Sequence, residues 1–281
     1  MILAAALLLA GCGPRVLVNS DDEPVGWEAV RDGRALIASG DASAALTYWT
    51  DLLAAHPDSW EAARGLQDTR RATLPADAFE RLYREAVESQ PGDGLAWYLW
   101  GRARIDSPNE AARAFQKAGE LAPMRPWPPA GLAFLAWREG DLFRTVETYE
   151  AALEEMPRSA TLRHLLGNQL MTLRMTVSAQ RELETARRLA PDNPAILGSL
   201  GQVYMQVQRE EEGRALLEES WAKDPGRSEV AMALAQAYIV QRRVDDAEAM
   251  YRKALELGMG RDEELYAAIR AARVVERSRG N

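Results

Sequence analysis

The chain holds one cysteine and two histidines in 281 residues. A single thiol excludes a disulfide framework and any cysteine-cluster metal site. The histidines, His56 and His164, have no ligand or nucleophile at useful spacing. No H-E-x-x-H, phosphate-binding loop, nucleophile elbow or dinucleotide fingerprint occurs. Neighbouring acids such as Glu154-Glu155 and Glu218-Glu219 point in different directions on a helix, so they do not form an acid–base pair. No catalytic residue, metal, cofactor or small-molecule substrate is therefore expected. A basic excess is also missing: 34 Lys and Arg stand against 42 Asp and Glu, a net charge of −8. Binding to nucleic acid needs the opposite sign, so no nucleic-acid partner is expected. The composition, 47% hydrophobic and 27% charged, is that of a folded globular chain.

The apolar run Ile2–Ala10 is far shorter than the ~20 residues of a spanning helix. It has the size of a signal-peptide core, although no basic residue precedes it. Leu9-Ala10-Gly11-Cys12 resembles the lipobox of bacterial lipoproteins, and Cys12 is the chain's sole cysteine. The resemblance implies cleavage before Cys12, a diacylglycerol thioether on its sulfur and acylation of the new amine. Two or three chains anchor stably where one does not. Gly13 at the following position implies the periplasmic face of the outer membrane in a two-membrane cell. Residues 13–26 read as a tether spanning about 20 Å as a flexible coil.

From there the sequence is periodic. Prolines recur at Pro57, Pro91, Pro123, Pro157, Pro191 and Pro225, spaced by 34, 32, 34, 34 and 34 residues, and Gly258 and Gly260 flank the next term. Eight residues before each stop stand Trp49, Tyr83, Phe115, Tyr149, Leu183, Leu217 and Tyr251. Twelve before stand Ala45, Phe79, Ala111, Thr145, Ala179, Gly213 and Ala247. In the first half of the cycles come Gly33, Gly101, Gly167 and Gly201, with Ala133 and Ala235 substituting. The second cycle fits worst, because Gly65-Leu66 is displaced and Phe79 replaces the small residue.

This pattern resembles the tetratricopeptide repeat over about Trp27 to Gly260. The resemblance implies an all-α, right-handed superhelical solenoid of about seven helix–turn–helix units. Each unit buries its apolar face only by stacking on the next. Residues 261–281, with Leu265, Ala268, Ile269, Ala272 and Val275 at helical spacing, read as a capping helix and frayed end. The expected organisation is thus 1–11 signal peptide, 12–26 lipidated cysteine and tether, 27–260 solenoid and 261–281 cap.

The family places the first helix of each unit on the concave wall. Carried over, this nominates Tyr98 and Arg102 in the third unit. Phe134 and Trp137 follow in the fourth, and His164, Asn168 and Met171 in the fifth. Gln202, Met205 and Gln206 come from the sixth unit, Met232 and Gln236 from the seventh. Methionines and aromatics offer adaptable apolar contact, and side-chain amides offer a donor and an acceptor each. Such a wall suits extended peptide backbone. Trp127, within Pro123–Pro129, reads either as part of a stiff connection or as an exposed docking edge, and the first reading is preferred. The basic residues with which some family members clamp a terminal carboxylate are missing. The expected function is a lipid-anchored scaffold or assembly factor of the bacterial cell envelope, binding a protein or extended peptide segment. A pilotin-type role in pilus or secretin assembly is the alternative.

Overall fold

The computed structural model describes residues 25–279. Cys12, the lipobox and most of the tether lie outside them. The described chain forms fifteen α-helices and no strand. Fourteen pair antiparallel. Repeat 1 is α1 (Trp27–Ala38) with α2 (Ala42–Ala55), and repeat 2 is α3 (Trp60–Thr73) with α4 (Ala76–Ser89). Repeat 3 is α5 (Gly94–Ala103) with α6 (Pro108–Leu121), and repeat 4 is α7 (Trp127–Arg138) with α8 (Leu142–Glu155). Repeat 5 is α9 (Ala160–Thr172) with α10 (Thr176–Leu189), and repeat 6 is α11 (Pro194–Gln206) with α12 (Glu210–Lys223). Repeat 7 is α13 (Ser228–Val240) with α14 (Val244–Glu256), covered by α15 (Glu263–Arg279).

Local chemistry sets the boundaries. Each of the six periodic prolines lies two residues beyond the end of a second helix, because proline excludes the preceding residue from helical conformation. Asp41, Ser59, Asp93, Asp141, Ser159 and Asn193 cap helix N-termini through side-chain oxygens that accept backbone N–H groups. In five of the seven repeats the inner turn passes through a left-handed residue. It is Gly40 or Gly140 in repeats 1 and 4, but Arg174, Gln208 and Arg242 at φ 58°, 62° and 59° in repeats 5, 6 and 7. The short 32-residue cycle is absorbed in α5, which has ten residues where α9 has thirteen.

The core is a file of large side chains seated against glycine. Trp49 lies between Gly33 and Gly65, where an added Cβ would come within 2.3 Å and 2.4 Å of its ring. Phe115 lies likewise between Gly101 and Gly131, at 2.6 Å from each. The smaller Leu183 and Leu217 need only Gly167 and Gly201. Gly65 and Gly131 therefore serve the preceding repeat's aromatic ring.

Repeat 2 departs from this plan. Buried Gln67 stands where other repeats carry glycine or alanine, and buried Phe79 where they carry Ala, Gly or Thr. Two bulky residues on facing helices hold the helices apart, and α3 pairs with α4 more sparsely than the partners of any other repeat. The apolar core runs as a series of clusters, and repeat 2 contributes to two of them. Val25, Val30, Ala45, Trp49, Ala62 and Leu66 form one cluster. Tyr98, Ala111, Phe115, Ala118, Trp127 and Leu135 form the next. Phe79 and Tyr83 meet as tilted rings with centroids 5.0 Å apart and belong to neither.

Candidate peptide-binding groove

The first helices of repeats 3 to 7 carry every residue nominated for the groove, but they do not carry it as one uniform surface. In repeats 2 to 4 the charges are already spent. Arg102 donates to Asp68 Oδ1 at 2.8 Å and to Gln67 Oε1 at 2.9 Å. Arg138 donates to Asp106 Oδ1 at 2.9 Å and to the Ile105 carbonyl at 2.8 Å. Each guanidinium thus reaches back to the preceding repeat, neutralising a carboxylate and satisfying an acceptor there. Gln67 completes the link by donating to the Leu99 carbonyl at 2.7 Å, and Arg71 donates to the Arg102 carbonyl at 2.7 Å.

Two nominated residues are inside the protein. Tyr98 is buried between Phe115 and Trp127, with ring centroids 5.7 Å and 5.2 Å away. Met232 is buried in the core of repeat 7. Trp127 is itself buried, 4% exposed, so it belongs to the stiff connection and is no docking edge. Phe134 and Trp137 do the reverse. They are 44% and 48% exposed and lie one helical turn apart, stacked with centroids 5.6 Å apart and planes at 24°.

Beyond them the nominated side chains are neutral, with Arg227, paired to Asp224 and Glu229, close by. His164 Nε2 lies 2.9 Å from Ser199 Oγ and 3.1 Å from Asn168 Nδ2. An amide nitrogen can only donate, so as placed Nε2 is the acceptor and carries no proton. Burial pushes the His164 pKa down to about 4, helped by the positive charge of Arg227 and opposed by a backbone hydrogen bond at Ala195. The ring is therefore neutral at physiological pH. Met171, Gln202 and Met205 are half-buried, and Gln206 and Gln236 exposed. Among the described residues, no side-chain hydrogen bond uses the amides of Gln202, Gln206 or Gln236. Ser199, the interhelical partner of His164, escaped the sequence reading because serine at that place carries no pattern of its own.

Chemically, this is a wall that can contact and orient a chain. Among the described residues no cluster of three His, Cys, Asp or Glu could hold a metal ion. No described helix is long and apolar enough to cross a membrane.

Tetratricopeptide-repeat family models match residues 31–66 and 205–272. No curated protein sequence matches the chain. Among solved structures, the APC/C hetero-tetramer Cut9–Hcn1 superposes with TM-score 0.65 at 17% identity, over 87% of this chain and 49% of that one. Yeast Tom70 superposes with TM-score 0.61 at 16% identity, over 85% of this chain and 60% of that one. Pseudomonas aeruginosa PilF superposes with TM-score 0.56 at 23% identity, over 65% of this chain and 84% of that one. The chain thus spans about half the length of the Cut9–Hcn1 chain it matches. At these identities the likeness concerns the fold alone. The two matched segments carry tetratricopeptide repeats, and seven helix pairs in one register give the described chain the tetratricopeptide-repeat solenoid fold.

Proposed function

We propose that the protein is a lipid-anchored scaffold of the bacterial cell envelope that holds a partner protein by an extended segment laid along repeats 4 to 7. The observation that carries the groove is the exposed Phe134–Trp137 stack beside an amide-bearing wall. The stacked rings supply apolar anchorage. Gln202, Gln206 and Gln236 supply donors and acceptors for main-chain groups, which an extended segment leaves unpaired. Because nearby arginines are engaged by Asp68 and Asp106, the fitting segment is apolar and near neutral, with contacts that salt weakens little. The anchor rests on the sequence around Cys12. It places the protein on a membrane surface, and on the periplasmic face of the outer membrane in a two-membrane cell. Tethering there raises the local concentration of whatever the groove holds. A narrower form of the same reading is a pilotin-type role, in which the held segment belongs to a pilus or secretin subunit. No enzymatic activity is part of this proposal.

Two measurements test it. Metabolic labelling with an alkyne fatty acid should mark the wild-type chain and not Cys12→Ser; equal labelling would sink the anchor. Trp137→Ala should weaken partner binding by about 2 kcal/mol, roughly thirty-fold, with helicity unchanged. Unchanged binding would place the contact elsewhere.

A further inference from the structure

The two ends of the array meet. Arg31 of α1 donates through Nη1 to the main-chain carbonyl of Lys223, 192 residues away at the end of α12, at 3.2 Å. The Lys223 ammonium lies 5.8 Å from the centre of the Trp27 ring, and Lys223 also pairs with Asp192 at 2.8 Å. The surrounding charges are complementary: Asp224 acts favourably on Arg31, and Glu28 on Lys223. Repeat 1 therefore rests on the end of α12, where the chain turns from repeat 6 to repeat 7.

The other end of the same lever is the loose α3–α4 pair of repeat 2. The N-terminal block α1–α3 has its own core around Trp49. It reaches α5 through polar groups, Gln67 on the Leu99 carbonyl, Asp68 on Arg102 and Arg71 on the Arg102 carbonyl, and one ring of α3, Trp60, also packs against the core of repeats 3 and 4. Polar contacts at a helix surface re-form after a small rotation, whereas interlocked apolar packing does not. Gln67 and Phe79 are the residues that keep α3 from locking onto α4.

We infer that the α1–α3 block is a clasp over the groove, which closes by seating Trp27 and Arg31 at Lys223 and opens by turning about the α3–α4 joint. The seat is small, charged and partly exposed, with Arg31 35% and Lys223 24% exposed. Contacts of this kind are weak and salt-sensitive. The clasp rests on the groove reading for its purpose, since an extended segment enters from the side only when the seat is released. Its existence does not depend on that reading.

The test measures shape with no partner present. Spin labels go on cysteines at Arg34 and Ala222 in the full chain, with Cys12 replaced by Ser. Pulsed dipolar spectroscopy should give a short distance together with a minor longer one. Arg31→Glu, which faces Asp224 and Glu28, should make the longer distance dominant, as should molar salt, with helicity unchanged. A single short distance that neither change moves means a static closure and overturns the clasp. A single long distance in the unaltered sequence overturns the seat. Failure of the groove reads out separately, as unchanged partner binding in Trp137→Ala.

Discussion

Repeats 2 and 6 share one plan and differ at two places that decide how closely their helices approach. In repeat 6 both facing positions are glycine. A Cβ on Gly201 would lie 2.9 Å from the Gly213 carbonyl oxygen, and a Cβ on Gly213 2.8 Å from the Gly201 oxygen. The backbones of α11 and α12 therefore touch, and this pair is the most closely packed of the array. In repeat 2 the same two places hold Gln67 and Phe79, and the helices stand apart. A solenoid has no central core to compensate for a loose unit, because each repeat meets only its neighbours. One substituted pair is enough to loosen the joint between the N-terminal block and the C-terminal run that carries the groove.

The largest test of this contrast is to remove it from the tight side. Gly213→Val drives a side chain into backbone and should cost about 3 kcal/mol in a denaturant titration, with the loss concentrated in repeats 5 to 7. A cost near zero would mean that α11 and α12 have room to separate, and the account of the stiff half would fail. The stiff half should also carry a pH dependence through His164. Its folded pKa of about 4 lies below the usual 6.5, so between those values the unfolded chain binds more protons and stability falls as pH is lowered. The loss should be about 3 kcal/mol by pH 4 and should shrink in His164→Gln. Melting temperatures that stay parallel in the two proteins across this window would show that His164 is not the source.

Within the N-terminal block, Gly65→Ala puts a methyl group against Trp49. It should cost about 2 kcal/mol and leave repeat 6 unaffected. Loss of protection in both halves alike, read by hydrogen exchange, would deny that the joint is loose at repeat 2. The smallest expected effect is a gain. Gln208 sits at φ 62° in the turn of repeat 6, a conformation that disfavours side chains. Gln208→Gly should raise stability by about 1 kcal/mol.

Much of this was legible in the residues. The proline period, the small residues and the aromatic between them describe a helix pair whose packing is local, so sequence spacing translates directly into space. Phe79 at a small-residue place already marked the second cycle as irregular. Gln67 gave no such warning, because its role depends on acceptors in α5 that only the fold brings near. Gly65 looked displaced for a similar reason: like Gly131, it makes room for a ring in the preceding repeat. The groove was read less well. Assigning inner-wall residues by register assumes a regular superhelix, and at repeats 3 and 4 two large aromatics meet. Trp127 covers Tyr98, so both leave the surface. Phe134 and Trp137 stack on each other and stay exposed. The end-to-end seat of Arg31 on Lys223 had no signature in the chain at all, since it arises from the summed curvature of the array.

The most direct test of the central claim is site-specific photo-cross-linking in native membranes. A photoreactive residue is placed at Trp137, at Gln206 and, as control, at Arg181, which is 76% exposed on α10. The account predicts one shared partner adduct from the first two positions and none from the third. The same adduct from position 181, with none from 137 or 206, would put the binding surface outside the groove and contradict it.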